Sequence, residues 1–150
     1  MKYIREVSVR YGKKQKALDL VRGPSDISKI IKKIIKENGK EHFMLFCLDG
    51  NHAVVAYNIV SIGTQNMAPV HPREVFQPAL LAGAVSIIIA HNHPSGNIEP
   101  SREDFACTKK LMEAAELLQI KLLDHIIVGD NDNYYSMQEK GTLGTFGFIG

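Results

Sequence analysis

Hydrophobic and polar positions along the chain alternate between two periods, and the changes of period mark the elements. Residues 2–11, KYIREVSVRY, alternate and predict a strand at an edge of the sheet; 12–24 read as a linker. From Gly23-Pro24-Ser25-Asp26 a helix begins, with Ile27, Ile30, Ile31, Ile34 and Ile35 in one stripe and Asn38-Gly39 as its stop. The dense apolar run at 41–49 predicts a buried strand. Asp49-Gly50-Asn51 then turns the chain into a returning strand over 52–62. A loop at 63–70 leads to a helix over 72–84 that offers Val75, Ala79, Leu80 and Ala82 for packing. The run at 85–90 is a second buried strand. After it come a helix over 101–118, with Phe105, Leu111, Met112, Ala115 and Leu118 facing inward, a strand over 122–128, a turn at 130–133 and a last short strand at 134–136. The glycine-spaced tail carries Phe146 and Phe148, which can dock on the core or on a neighbour. This order predicts an α/β (α+β-like) fold, a mixed sheet with helices packed against it.

Chemistry concentrates where the second buried strand ends. HNHPSGNIEPSRED at 91–104 places His91 and His93 two apart, so both imidazoles leave one side of an extended chain. Pro94, Gly96 and Pro100 turn the chain back, and Asp104 falls in the first turn of the next helix. Two histidines and an aspartate suit Zn²⁺ and leave a fourth position for water, as in catalytic sites; the same set also suits Fe²⁺. Ser101 with Asp104 equally reads as a capping box, and the Ser101 hydroxyl can serve both purposes. Asn92, between the two histidines, points to the other side of the strand and reads as structural, and His42 and His52 read as surface residues.

HNHPSG at 91–96, PSREDF at 100–105, LLDHIIVG at 122–129 and VHPREVF at 70–76 together resemble the RadC-type branch of the JAB/MPN (JAMM) metalloprotease-like domains. The resemblance runs from about residue 41 to about residue 141. It implies a JAB/MPN-like domain over 41–150, on which the strand and basic amphipathic helix read from the pattern at 1–40 would pack. It also implies a metallohydrolase of peptidase or isopeptidase type, with one Zn²⁺ per chain held by His91, His93 and Asp104. Glu41 matches the family's general base; sequence alone leaves Glu74, Glu99 and Glu103 as equal candidates. Ser101 is then the donor to the oxyanion. Asp124 and His125 match a DH pair that can support a ligand imidazole, or simply pair polar groups at a strand end. His71 and Arg73 can line the cleft and grip a substrate carboxylate or phosphate, or cap the helix that follows. RadC-type proteins usually carry a helix-hairpin-helix-like region before this domain, which the 40 residues here do not resemble.

Composition narrows the alternatives. The 150 residues, 45% hydrophobic, suffice for one core. Cys47 and Cys107 form no C-x-x-C and read as free thiols. The start has no signal-like apolar segment and no run reaches a membrane span, so a cytoplasmic protein is expected. The first 40 residues carry 12 Lys and Arg against 4 Asp and Glu, and the remainder 6 against 12. That basic arm admits DNA as a partner, and with it a non-catalytic interaction domain in DNA repair or recombination as the alternative function. Lys29, Lys32, Lys33 and Lys36 at helical spacing also read as a solvated face. The expected partner is a peptide or protein substrate, and a homo-oligomer stays open. A zinc nucleobase deaminase ranks far behind, since its H-x-E and P-C-x-x-C are missing.

Overall fold

The computed structural model describes residues 2–8, 10, 21–36, 39–63 and 70–143. Five strands, β1 (Glu41–Leu48), β2 (Val54–Gly63), β3 (Ser86–Asn92), β4 (Lys121–Val128) and β5 (Tyr134–Ser136), form one mixed sheet in the order β2-β1-β3-β4-β5. β1 runs antiparallel to β2 and β3, β3 parallel to β4, and β4 antiparallel to β5. Three helices flank it: α1 (Pro24–Ile34), α2 (Pro72–Leu81) and α3 (Arg102–Leu118).

β1 and β3 read as unbroken apolar runs because both faces of the sheet are covered. On one face Ile27, Ile30, Ile31 and Ile35 of the α1 segment pack on Met44, Phe46, Leu48, Ile88, Ala90, Ile126 and Val128. On the other, Val75, Phe76 and Ala79 of α2 and Leu111 and Ala115 of α3 pack on Phe43, Leu45, Cys47, Ile87 and Ile89. This alternation decides where the site lies. His91 shares the side of Ile87 and Ile89, toward α3, and Asn92 faces the other way. The solvent side of α1 holds Lys29, Lys32 and Lys33, with Lys32 paired to Asp132. Cys47 is buried, Cys107 half-buried, and neither is in a disulfide.

Several expectations are corrected. Residues 2–8 and 10 make no strand and stay in solvent, with Tyr3, Ile4 and Val7 fully or almost fully exposed. Alternation marks a strand only where a neighbour is there to pair with it, and residues 2–8 and 10 pair with none of the five strands. α1 ends at Ile34, ahead of the expected Asn38-Gly39 stop, of which residue 38 lies outside the described residues. Leu80 and Leu118 point outward at their helix ends. Beyond Leu118, Gln119 adopts the left-handed conformation (φ 58°), and the Ile120 N–H donates to the Ala115 carbonyl. This Schellman-like closure sends Ile120 into the core instead. Phe146 and Phe148 lie outside the described residues.

Candidate metal centre

The end of β3 delivers two imidazoles to one place. His91 is buried and lies flat against Phe43, its partner across the β1–β3 register, with the ring centroids 6.1 Å apart. His93 stands just past the strand, yet its N–H still donates to the Val128 carbonyl, so the extended geometry continues one residue further. The two Nε2 atoms are 3.0 Å apart.

The following loop orients His93. Its Nδ1 meets the Asn97 carbonyl at 2.6 Å. A carbonyl can only accept, so Nδ1 carries a proton, and in the neutral ring Nε2 is left bare. Two glycines allow this loop. Gly96 has φ +84°, and a side chain there would run into the Asp130 carboxylate. Gly129 lies beneath the loop, with the Gly96 carbonyl oxygen only 2.8 Å from where its Cβ would be.

The N-terminus of α3 brings the carboxylate. Ser101 and Asp104 form a capping box: the Ser101 N–H donates to Asp104 Oδ2 at 2.8 Å, and the Asp104 N–H donates to Ser101 Oγ at 3.1 Å. Held this way, Asp104 places Oδ1 3.3 Å from His91 Nε2 and Oδ2 3.4 Å from His93 Nε2. Glu41, opening β1, brings Oε1 to 3.8 Å from His91 Nε2. Asn92 braces that position from the far side of the sheet. Its Oδ1 accepts from the His42 N–H at 2.7 Å and its Nδ2 donates to the Lys40 carbonyl at 2.9 Å, gripping the backbone on both sides of Glu41.

These contacts shift the charges. Burial pushes the Asp104 carboxyl up. When protonated, His91 and His93 donate hydrogen bonds to it; these, the charge of His91 and the Ser101 N–H outweigh burial and hold the group well below the carboxylate range. His93 is raised, chiefly by its bond to Asp104. Glu41 is raised by burial, against the pull of both histidines. His125, wholly buried behind His91, is lowered well below the ordinary histidine value by burial and then by the charge of His91.

Of the DH pair, His125 reaches the site, with its Nε2 2.8 Å from His91 Nδ1. Asp124 turns away: its carboxylate accepts from the backbone N–H groups of His125 and Gln138 and from the Ser136 hydroxyl, bracing the β4–β5 corner. His71 and Arg73 are exposed at the start of α2, where the His71 N–H donates to Glu74 Oε1. Among the described residues neither pairs with Glu41, His91, His93 or Asp104. His42 is buried rather than at the surface, its Nδ1 on the Lys40 carbonyl, while His52 is exposed. Sequence reasoning passed over Asn92, Phe43 and the Asn97 carbonyl as parts of the site. Only the i, i+2 alternation hinted at where Asn92 would point.

Glu41, His91 and His93 form a candidate metal-binding triad, with one donor atom from each lying within 4.8 Å of the others. Asp104 adds a fourth donor group. Four-coordinate zinc with bonds of 2.0–2.1 Å sets its ligand atoms about 3.3 Å apart along the tetrahedral edges. The 3.0 Å between the two imidazole nitrogens lies near that spacing, as do the 3.3 Å from His91 to Asp104 Oδ1 and the 3.4 Å from His93 to Asp104 Oδ2.

A mixed sheet flanked by helices, with a His-x-His pair at the end of an interior strand and carboxylates closing on it, is consistent with a metal-site domain of the JAB/MPN-like fold. Comparison with known proteins narrows the class. The chain belongs to the RadC-like JAB domain family, whose model matches residues 21–142. It is 43% identical over 124 residues to a UPF0758 protein of Desulforamulus reducens, covering 83% of this chain and 54% of the relative. A UPF0758 protein of Alkaliphilus metalliredigens is 45% identical over 123 residues, 82% of this chain and 53% of the relative. The chain thus spans about half the length of these relatives. No helix among the described residues is long and apolar enough to cross a membrane.

Proposed function

We propose that the chain is a zinc-dependent hydrolase of amide bonds, acting on a peptide or isopeptide. The observation that carries this reading is the convergence of His91 Nε2, His93 Nε2 and the Asp104 carboxylate at tetrahedral-edge distances, with Glu41 beside them. In this reading His91, His93 and Asp104 would hold the metal, as the family resemblance implies, and Glu41, which also lies within ligand reach, would serve as the base. Bound zinc supplies a water of lowered pKa and a Lewis acid for the substrate carbonyl.

The protein's own groups do the rest. Glu41 accepts the proton of the attacking water and passes it to the leaving amine. Its raised pKa brings it closer to the working range of a general base. The Ser101 hydroxyl accepts the Asp104 N–H, so its own proton remains to be donated to the oxyanion. Asn92 keeps the Glu41 backbone fixed while the side chain moves protons. Fluorogenic peptides and isopeptide-linked conjugates, presented to the zinc-loaded protein, test the reading. Glu41→Gln should keep its zinc and lose turnover; a Glu41→Gln protein as active as the wild type would remove Glu41 from the mechanism.

A further inference from the structure

Behind His91 runs a buried chain of hydrogen bonds that ends on the backbone of Asp104, and the direction of its protons can be worked out. His91 Nδ1 meets His125 Nε2 at 2.8 Å. His125 Nδ1 meets the hydroxyl of Thr108, and that hydroxyl meets the Asp104 carbonyl at 2.8 Å and Met137 Sδ at 3.4 Å. Thr108 and His125 are both wholly buried, so water does not complete any of these bonds.

The chain can be polarised in two ways. In the first, the Thr108 O–H donates to the carbonyl and accepts from His125 Nδ1–H. His125 Nε2 is then bare and accepts from His91 Nδ1–H, leaving the bare Nε2 of His91 facing His93 and Asp104. In the second, every proton is reversed: Thr108 donates to His125, His125 to His91, and His91 carries a proton on Nε2 among the donor atoms. The Asp104 carbonyl separates the two. It cannot donate, so in the reversed chain two oxygens face each other at 2.8 Å with no proton between them. A thioether is too weak an acceptor to change this order.

We infer that Thr108, through His125, is a positioning residue that holds His91 in its Nδ1–H tautomer and thereby prepares Nε2 to bind a metal ion. The inference rests on the metal-site reading above. Thr108 lies one turn beyond Asp104 on α3, so the same helix supplies one carboxylate to the centre and orients an imidazole from β3. Thr108→Val keeps the shape and removes the hydroxyl. His125 Nδ1–H would then be buried without an acceptor, which favours the reversed tautomer.

The test is zinc affinity by chelator competition for wild type, Thr108→Val and Thr108→Ser, with long-range ¹H–¹⁵N NMR of the histidine rings and thermal unfolding beside it. Thr108→Val should bind zinc about 10- to 100-fold more weakly. Thr108→Ser, which keeps the hydroxyl, should stay near the wild type. The zinc-loaded wild type should show His125 protonated at Nδ1, and Thr108→Val should show it protonated at Nε2. Equal affinities for wild type and Thr108→Val would overturn the relay alone. So would a loss in Thr108→Ser as large as in Thr108→Val, which would make the methyl packing responsible. A wild type that takes up no zinc would overturn the metal-site reading, and the relay's purpose with it.

Discussion

Gly129 is predicted to hold the metal site without touching it. A Cβ at this position would fall 2.6 Å from Ile98 Cγ2 and 2.8 Å from the Gly96 carbonyl oxygen, where ordinary contacts begin at 3.4 Å. The Ile98 methyl can rotate, but the Gly96 oxygen is backbone, so Gly129→Ala requires about 0.6 Å of loop movement. The next peptide in that loop carries the Asn97 carbonyl, which holds His93 Nδ1 at 2.6 Å. The same movement stretches that bond toward the limit of a useful hydrogen bond, near 3.2 Å. Overpacking of this kind costs about 1–3 kcal/mol. For a chain of this size that lowers Tm by roughly 2 to 12 °C. Loss of the bond that orients a metal-binding imidazole weakens affinity about 10- to 100-fold. Chelator competition measures the second effect, and thermal unfolding of the chelated protein the first. Gly50→Ala is the control, since nothing lies within 4 Å of its added Cβ. A Gly129→Ala protein with wild-type zinc affinity and wild-type Tm would refute the reasoning that the loop positions His93.

Two further outcomes follow from the geometry. Ser101→Ala removes a helix cap worth about 1 kcal/mol. The residue 101 N–H still holds Asp104 Oδ2, so zinc affinity should survive while turnover falls about 10²- to 10³-fold; unchanged turnover would remove Ser101 from the chemistry. In chelator, the stability that His93 adds should be lost as pH rises from 5 to 8, so the Tm difference between wild type and His93→Ala should shrink. His125, lowered well below 6.5 by burial, acts in the opposite direction on the total, but it is present in both proteins. His93 is raised above 6.5, so its contribution is complete below 6.5 and is lost as pH rises through its folded value. Glu41, raised above 4.5, binds its proton more tightly when folded and adds to the same slope. Asp104, held low, contributes above 3.8 and is already ionised in this range. With zinc the trend should reverse, because the metal competes with protons for the histidines. A wild-type advantage over His93→Ala that stays flat or grows over this range in chelator would contradict the assignment.

What was legible in the sequence is what local spacing controls. His91 and His93 share a side because extended chain alternates, and Asp104 falls in the first helical turn because the Ser101 box sets it there. Both follow from fewer than fifteen consecutive residues. The expected strand is absent over 2–8 and 10 because alternation signals a strand only where a partner strand is there to pair with it. His42 was misread because its burial depends on β1 lying between two other strands. Asn92 gripping residues 40 and 42, and His125 meeting both His91 and Thr108, join segments far apart in sequence, so no spacing within one element could reveal them. The pairing of strands that closes those distances is a property of the whole sheet.

Zinc content per chain, measured by elemental analysis on the wild type beside His93→Ala, tests the central claim most directly. The account predicts close to one zinc per wild-type chain and little or none in His93→Ala, with the fold retained. A wild type that carries no zinc, and takes up none when zinc is supplied, would contradict it.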